Sequence, residues 1–279
     1  MKNPCFQFER LLSRPIVVAL FVTTTLPCAL ADTVGYWRLE GAPSTPAVGI
    51  VLDYSGNGLN GTAINGPLYS GDIASAAQGI GSTTSMQLNG LTQRVTVPDA
   101  AALALTHSLT IEAYVKAEPM APGTGGGGNI LIRSDTRPGL DPYRLTLNQG
   151  NILSLTIQDA ANNTAGITCP IAFDQWTQVA GTLDDATGEM KLFVNGILTA
   201  SRVTSIRPLA DLNPAYAPGL GIGGDRTGQY GEYVRGWLDE VRLSNVALTP
   251  DQMLPPVPEP SSLGLLALAL AARWIHRSR

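Results

Sequence analysis

The stretch "SLTIEAYVK", residues 108–116, carries the pattern that decides the fold. Its apolar residues alternate with polar ones, at Leu109, Ile111, Ala113 and Val115. Because successive side chains of a β-strand point to opposite faces, this alternation predicts a half-buried strand.

Similar short runs recur along most of the chain. In "EMKLFVNGILTAS" two apolar runs flank Asn195-Gly196, a pair that favours the tight turn of a β-hairpin. About a dozen such runs without a long helical pattern predict an all-β domain, a two-sheet antiparallel jelly-roll sandwich. The other runs are "GYWRLE", "SMQLNG", "QRVTVP", "NILIRS", "YRLTLN", "NILSLTIQ", "WTQVAGTLD", "GLGIGG" and "RGWLDEVRLSN".

Composition agrees with this fold class and excludes one class of partner. Charged residues make up only 14% of the 279 residues, whereas there are 30 glycines and 20 prolines. Without the charges that flank the apolar runs at the two ends, 12 basic and 21 acidic side chains remain, a net charge near −9. A section this acidic repels phosphate backbones, so we expect no nucleic-acid binding.

Six segments resemble, in their order, the laminin-G-like, concanavalin A-like family. The resemblance covers most of residues 32–253 and is most specific in the last segment. It implies the jelly-roll fold but no ligand, because this fold carries lectins, adhesion modules, toxin parts and glucanases. The segments are "GYWRLE", "DYSGNGLNGT", "SLTIEAYVK", "WTQVAGTLD", "KLFVNG" and "GWLDEVRLSNVALTPDQM".

The closing segment places a carboxylate in an unexpected register. In a regular strand, Asp239 shares a face with Val241 and Leu243 and would lie among apolar neighbours. An unpaired buried charge is too costly, so Asp239 needs an arginine, backbone N–H groups or a cation. Arg38 or Arg242, on a neighbouring strand, is one alternative partner.

A glycine-rich loop, "DYSGNGLNG" at residues 53–61, offers oxygen ligands for a cation. Such ligands suit Ca²⁺ rather than Zn²⁺. Laminin-G-like domains often carry a structural calcium where an N-terminal loop meets the last strand. That resemblance makes Asp53 and Asp239 the best-matched calcium ligands, with Asn60 as a third. The alternative is that the loop is only two successive turns.

The residues for catalysis are missing from the sequence. Glucanases of this fold use a Glu-x-Asp-x-(x)-Glu strand, and no such spacing occurs here. The sequence has no Gly-x-Ser-x-Gly motif that would supply a nucleophilic serine for His107 to activate. One histidine without a cysteine pair also provides too few ligands for a catalytic zinc. We therefore predict a protein that is not an enzyme.

The N-terminus predicts export. Residues 1–31 contain a basic start, the apolar stretch "IVVALFVTTTLPCALA" and a small-x-small end at Ala29 and Ala31. This is the pattern of a signal peptide removed by signal peptidase. An uncleaved anchor is the alternative, but Pro27 and the threonines before it interrupt the run below the roughly 20 apolar residues needed to span a bilayer.

The C-terminus combines Pro258-Glu259-Pro260, an apolar run and an arginine-rich end. These features resemble the PEP-CTERM sorting signal of Gram-negative bacteria. The resemblance implies processing by an exosortase, a short hydrophobic helix that contacts the membrane transiently, and a final place at the cell surface or in a biofilm's extracellular polysaccharide matrix. The predicted organisation is a signal peptide at 1–31, a jelly-roll domain at 32–254 and a sorting tail at 255–279.

These features together predict a non-catalytic exported binding or structural module, with polysaccharide as the expected ligand. Tyrosines beside polar residues in "NPAYAPGLGIGGDRTGQYGEY" are the candidate lectin-like site. The alternative is that these tyrosines pack the loop onto the sandwich. A protein–protein adhesion or matrix scaffold is the second hypothesis, and a glycan-cleaving enzyme, with two carboxyls about 5–10 Å apart, is the third. The candidate residues are Tyr216, Tyr230, Tyr233, Asp225 and Arg226.

Overall fold

The computed structural model of the chain describes residues 33–119, 127–137 and 139–258. The described residues form an all-β sandwich of two antiparallel sheets, which confirms the predicted fold class. None of the helices in these ranges is both long enough and apolar enough to cross a membrane. The predicted signal peptide, Glu259, Pro260 and the rest of the sorting tail lie outside the described residues.

Sixteen strands, one short helix and two 3₁₀ turns make up these ranges. The helix α1 is Ser75–Gly79, and the 3₁₀ turns are Ala101–Leu103 and Pro214–Tyr216. The strands are β1 Thr33–Trp37, β2 Gly49–Val51, β3 Gly61–Ile64, β4 Leu68–Ser70, β5 Ser85–Asn89, β6 Arg94–Pro98, β7 Leu109–Ala117, β8 Gly127–Ser134, β9 Tyr143–Asn148, β10 Ile152–Gln158, β11 Thr164–Pro170, β12 Trp176–Leu183, β13 Glu189–Val194, β14 Ile197–Val203, β15 Gly219–Ile222 and β16 Arg235–Ser244.

Half of the strand pairings among the described residues join strands that are not consecutive in the sequence. Sheet A has the order β14-β13-β12-β7-β16-β5-β4, and β1 also pairs with β16. Sheet B has the order β11-β10-β9-β8-β15-β6-β3-β2. The last strand therefore lies at the centre of sheet A, between β7 and β5, where it can bring together residues from both ends of the domain.

The predicted core face of β7 is confirmed. Leu109, Ile111, Ala113 and Val115 are all fully buried in the main core between the sheets. The opposite face is buried as well, so the prediction of a half-buried strand is wrong. Tyr114 on that face packs with alanines of α1 and with a C-terminal segment, which together cover the outside of sheet A.

The predicted hairpin is also confirmed. Asn195 and Gly196 have φ values of +49° and +74° and join β13 to β14. Two consecutive left-handed residues are what a two-residue hairpin turn requires, because that turn matches the right-handed twist of its strands.

A β-bulge in β16 overturns the predicted register of Asp239. The pairing of β16 with β7 shifts between Asp239 and Arg242, and Glu240 has a φ of +52°. Leu238 and Val241, three positions apart, both enter the main core. The extra residue therefore turns Asp239 away from the face of Val241, so the prediction that they share a face is wrong.

The chain remains packed beyond Leu254. Leu254 is buried, and its N–H donates to Glu112 Oε2 over 2.7 Å. Pro255 accepts a hydrogen bond of 2.7 Å from the Tyr114 hydroxyl, and Val257 packs against the same outer cluster. The segment up to Val257 thus covers the outside of sheet A.

Candidate functional site

Alternation in β9 and β10 gives sheet B a polar outer face. Tyr143, Leu145 and Leu147 point into the core, and the residues between them point outward. We call the outward set the polar face. It lines a shallow cavity of about 90 Å³ together with Gly127 and Glu232. The polar face consists of Arg144, Thr146, Asn148, Ser154 and Thr156.

A loop between β15 and β16 forms one wall of this cavity. Asn129 is fully buried, donates to Glu232 Oε2 over 2.7 Å, and accepts from the Thr146 hydroxyl over 2.9 Å. The loop lies directly on β8, and this close contact requires a glycine at position 128. A Cβ at Gly128 would come within 2.4 Å of the Val234 nitrogen. Glu232 is therefore held at a fixed place beside the polar face.

Arg144 stands between two carboxyl groups. Its Nη1 lies 3.5 Å from Asp141 Oδ2 and 3.7 Å from Glu232 Oε1. Burial raises the pKa of Asp141 to about 6, and the negative charges of Glu232, Asp225 and Asp135 act in the same direction while Arg144 opposes them. The guanidinium is thus oriented by two acidic partners.

The arrangement suits hydrogen bonding to a polyhydroxylated ligand better than hydrolysis. Both carboxyls are engaged by Arg144, whereas a glycosidase needs one free to protonate the leaving group and one to attack or activate water. Arg144, Asn148, Ser154 and Thr156 together supply donors and acceptors on a surface fixed by a sheet.

Two of the three predicted tyrosines are exposed, on either side of one loop. Tyr216 is 41% exposed and its carbonyl accepts from Thr136 N over 3.0 Å. Tyr230 is 39% exposed and its hydroxyl donates to the Thr136 carbonyl over 3.1 Å. The guanidinium of Arg137 lies 4.5 Å from the centre of the Tyr216 ring. We call Tyr216, Tyr230 and residues 136–137 the tyrosine rim.

The other predicted ligand residues organise the loop. Tyr233 is only 5% exposed and its hydroxyl donates to the Gly228 carbonyl, so this tyrosine packs the loop, as the alternative interpretation predicted. Asp225 is buried and accepts from the Thr227 hydroxyl at 2.7 Å and from a backbone N–H. Arg226 donates to a carbonyl beside the rim.

The polar face and Glu232 were missed at the sequence level. Their signal was the outward half of "YRLTLN", where Arg144, Thr146 and Asn148 occupy every second position. Strand periodicity shows that such residues face away from the core, but it cannot show which loop will lie over them. The pairing of β8 with β15 brings Glu232 to this face.

The predicted calcium ligand Asp53 has its acceptor positions occupied. Its Oδ1 accepts from the N–H groups of Tyr36 and Ser55 at 2.9 and 2.8 Å, and its Oδ2 accepts from Leu59 N–H and the Ser55 hydroxyl. Asn60 accepts from Asp53 N–H. Donors directed at both oxygens suit a carboxylate that closes the loop, and they do not fit a bound cation.

Asp239 lies in a different environment. Its Oδ2 accepts from the Ser82 hydroxyl at 2.9 Å, and its Oδ1 has no hydrogen-bonding partner. Burial, followed by the charge of Glu240, raises the pKa of Asp239 to about 8. Arg38 donates to Glu240 and Arg242 to a carboxyl of β7, so the alternative that either pairs with Asp239 is wrong.

Asp53 and Asp239 have no hydrogen-bonding partner in common. Among the described residues, no group of three or more His, Cys, Asp or Glu side chains is placed to hold a metal ion. The predicted calcium ligands do not fit a shared site in this arrangement.

Comparison with known proteins agrees with this architecture. A family model described as the concanavalin A-like lectin/glucanases superfamily matches residues 89–253. The chain belongs to this superfamily. A second model, the PEP-CTERM protein-sorting motif, matches residues 256–279 of this concanavalin A-like chain and indicates an exported protein. No curated protein matches the sequence.

Solved structures share the fold of this concanavalin A-like chain at low identity. The binding domain of Paraclostridial Mosquitocidal Protein 1 has a TM-score of 0.58 and 13% identity over 80% of this chain, and the botulinum neurotoxin serotype D binding domain has 0.55 and 12% over 80%. This chain spans about half of each toxin domain, 51% and 50%. Domain 4 of AbnA, a GH43 extracellular arabinanase from Geobacillus stearothermophilus, has a TM-score of 0.53 and 18% identity over 79% of this chain and 96% of its own.

Proposed function

We propose that this chain is a non-catalytic, exported binding module that recognises polysaccharide through the polar face of sheet B and the tyrosine rim. The observation that carries the proposal is Arg144, held between Asp141 and Glu232 on a surface of amide and hydroxyl groups. Sugar hydroxyls both donate and accept, so a rigid set of paired donors and acceptors can read their orientation.

The tyrosine rim and the comparisons support this ligand class. Burial, followed by the negative charges of Asp225, Asp141 and Asp135, raises the pKa of the Tyr230 hydroxyl, so the rim lies within electrostatic reach of Asp141, one acidic partner of Arg144. The similar arabinanase domain was solved in complex with arabinotriose, and the superfamily includes lectins. An exposed tyrosine beside fixed polar groups offers the apolar surface that the C–H face of a sugar ring needs.

The sorting motif supports a cellular location in which polysaccharide binding would act. A PEP-CTERM chain exported by a Gram-negative cell passes through signal peptidase and an exosortase before it reaches the surface or the extracellular matrix. In that compartment the polysaccharide matrix itself is the partner with which a binding module would engage.

A protein–protein adhesion role has one specific observation in its favour. Val48, Ile50 and Leu52 are all exposed, Ile50 by 68%. Ile50 lies in β2, the last strand of sheet B, and Val48 and Leu52 directly flank that strand. An exposed apolar edge strand can pair with another chain. This surface is distinct from the polar face, so the two roles can be tested separately.

The test compares polysaccharide binding by the purified protein and by Arg144→Ala. Loss of charged hydrogen bonds should weaken binding about tenfold or more. Lys191→Ala is the matched control, since Lys191 lies on β13 of sheet A, pairs with Glu189 and does not line the polar face. Binding that Arg144→Ala leaves unchanged would refute the placement, and oligomers abolished by Ile50→Lys would favour the adhesion role.

A further inference from the structure

A second cavity lies beside the cluster that covers the outside of sheet A. Its volume is about 710 Å³, within the range of roughly 300–1,000 Å³ that ligand pockets occupy. The connection from β11 to β12, the hairpin turn after β13, the first residue of α1 and Val257–Pro258 form its walls. We call it the Trp176 groove, and it shares no lining residue with the polar face.

Trp176 is held in one orientation in this groove. Its indole Nε1 donates to Asp72 Oδ1 over 2.8 Å, and the other oxygen of Asp72 accepts from Lys116 Nζ over 2.7 Å. One side of the indole packs with the outer cluster that includes Leu254. A fixed, half-buried indole provides a flat apolar wall without the entropic cost of ordering it on binding.

The polar side chains that line the groove are all uncharged, whereas Asp72 and Lys116, which hold the indole N–H, do not belong to the lining. The lining groups are the amides of Gln175 and Asn195 and the hydroxyls of Ser75 and Thr177. Asn195 Oδ1 accepts from Gln178 N–H over 3.0 Å, which orients the Asn195 side chain and leaves its NH₂ group as the donor. The rest of the lining is apolar, with Ile171, Val194 and Val257 among its members.

We propose that the Trp176 groove binds a neutral oligosaccharide, as a second glycan site of this protein. The C–H face of a sugar ring suits the indole, and amides and hydroxyls suit equatorial hydroxyl groups. A lining without charged side chains gives no compensation for a buried carboxylate or sulfate, so acidic sugars are disfavoured. This inference rests on the proposed function for its ligand class only.

Two separate glycan sites, with no lining residue in common, change what the module does. One molecule can then contact two polysaccharide chains at once, and linkage between them strengthens retention in a matrix without any new contact. The groove wall at Val257 and Pro258 adjoins the sorting motif, so this site is located where the chain leaves the folded domain.

The test uses the purified full chain and linear neutral hexasaccharides of glucose, xylose and arabinose. Titration calorimetry and tryptophan fluorescence report binding. We expect Gln175→Ala and Asn195→Gly each to weaken binding about tenfold, since each removes one ligand hydrogen bond while Gly tolerates the positive φ at position 195. Gln78→Ala, an exposed glutamine of α1 outside the groove lining, is the matched control.

Arg144→Ala separates this inference from the proposed function. Hexasaccharide binding that survives Arg144→Ala but falls in the groove variants supports the second site. Two results would overturn the second site and leave the proposed function standing. One is hexasaccharide binding that Gln175→Ala and Asn195→Gly leave unchanged. The other is a protein that binds no hexasaccharide but still binds polysaccharide in an Arg144-dependent manner. If the wild-type protein binds neither polysaccharide nor hexasaccharide, both the proposed function and the second site are overturned.

Discussion

Glu112 and Arg242 face each other across β7 and β16, and Arg242 Nε donates to Glu112 Oε1 over 2.7 Å. Glu112 is fully buried, and its other oxygen accepts from Leu254 N–H. One ion pair therefore joins the two central strands of sheet A to the C-terminal segment that covers them. Substitutions in this ion pair and deletion of the C-terminal segment can therefore test how much the covering of sheet A contributes to stability.

Arg242→Met should lower the free energy of unfolding by about 3–5 kcal/mol, because the buried Glu112 carboxylate loses its cationic partner and keeps the Leu254 N–H as a neutral donor. Urea denaturation measures the change. The double variant with Glu112→Gln should recover part of the loss, since the remaining group is neutral. A single variant as stable as the wild type would contradict the role of the pair.

Removing residues 255–258 should destabilise the domain. A fragment of residues 33–254 lacks the Pro255 carbonyl that accepts from Tyr114 and the packing of Val257, whereas a fragment of residues 33–258 retains both. We expect the shorter fragment to lose about 1 kcal/mol or more in a side-by-side thermal denaturation. Equal melting temperatures would mean that the segment contributes nothing to the fold.

The buried carboxyl of Asp239 predicts a pH dependence of stability. Its pKa is raised to about 8 in the folded protein, above the ordinary 3.8, so the folded state retains a proton that the unfolded state releases. Stability from this group is complete below about pH 4 and falls as the pH rises toward 8, with no further loss above it.

The variant Asp239→Asn should remove this slope, because an amide keeps an acceptor for the Ser82 hydroxyl and cannot ionise. Melting temperatures measured from pH 4 to 9 test the prediction. Asp211→Asn, at an exposed position, is the control. An Asp239→Asn profile that parallels the wild type would show that another group causes the slope.

Asp53→Ala should lower the free energy of unfolding by at least about 2 kcal/mol, because three backbone N–H groups and the Ser55 hydroxyl lose their acceptor. Asp211→Ala serves as the control. Chemical denaturation with and without the substitution gives the difference.

Calcium chelation tests the metal prediction on the same residue. The hydrogen bonds of Asp53 lead us to expect no change in melting temperature when a chelator removes calcium. If calcium raised the melting temperature by several degrees and Asp53→Ala abolished this rise, the predicted calcium site would be supported after all. A ligand that binds only the native state raises its stability by mass action.

Local pattern contained the signal for the parts of the site that depend on local structure, although the polar face was not predicted from it. The exposure of Tyr216 and Tyr230 follows from a loop rich in glycine and proline, and the polar face follows from alternation in β9. The burial of Tyr233 did not follow, because its hydroxyl finds the Gly228 carbonyl only once the loop has closed.

The bulge at Asp239 and Glu240 shows most clearly what pattern could not predict. A regular strand and a bulged strand have the same alternation up to the extra residue. Glu240 adopts its positive φ where its carboxyl binds Tyr36 and Arg38, more than 200 positions earlier in the chain. No periodicity within β16 contains that information.

The sequence by itself determined the fold class, the hairpin at Asn195-Gly196, the core face of β7 and the C-terminal sorting motif, because strand periodicity, turn chemistry and targeting motifs are properties of adjacent residues. Only the tertiary structure decided that the outer face of sheet A is covered, that Asp239 turns away from the core, and that Glu232 meets Arg144. The physical reason is that burial, pKa and hydrogen-bond partners depend on which distant segments come to lie against a residue.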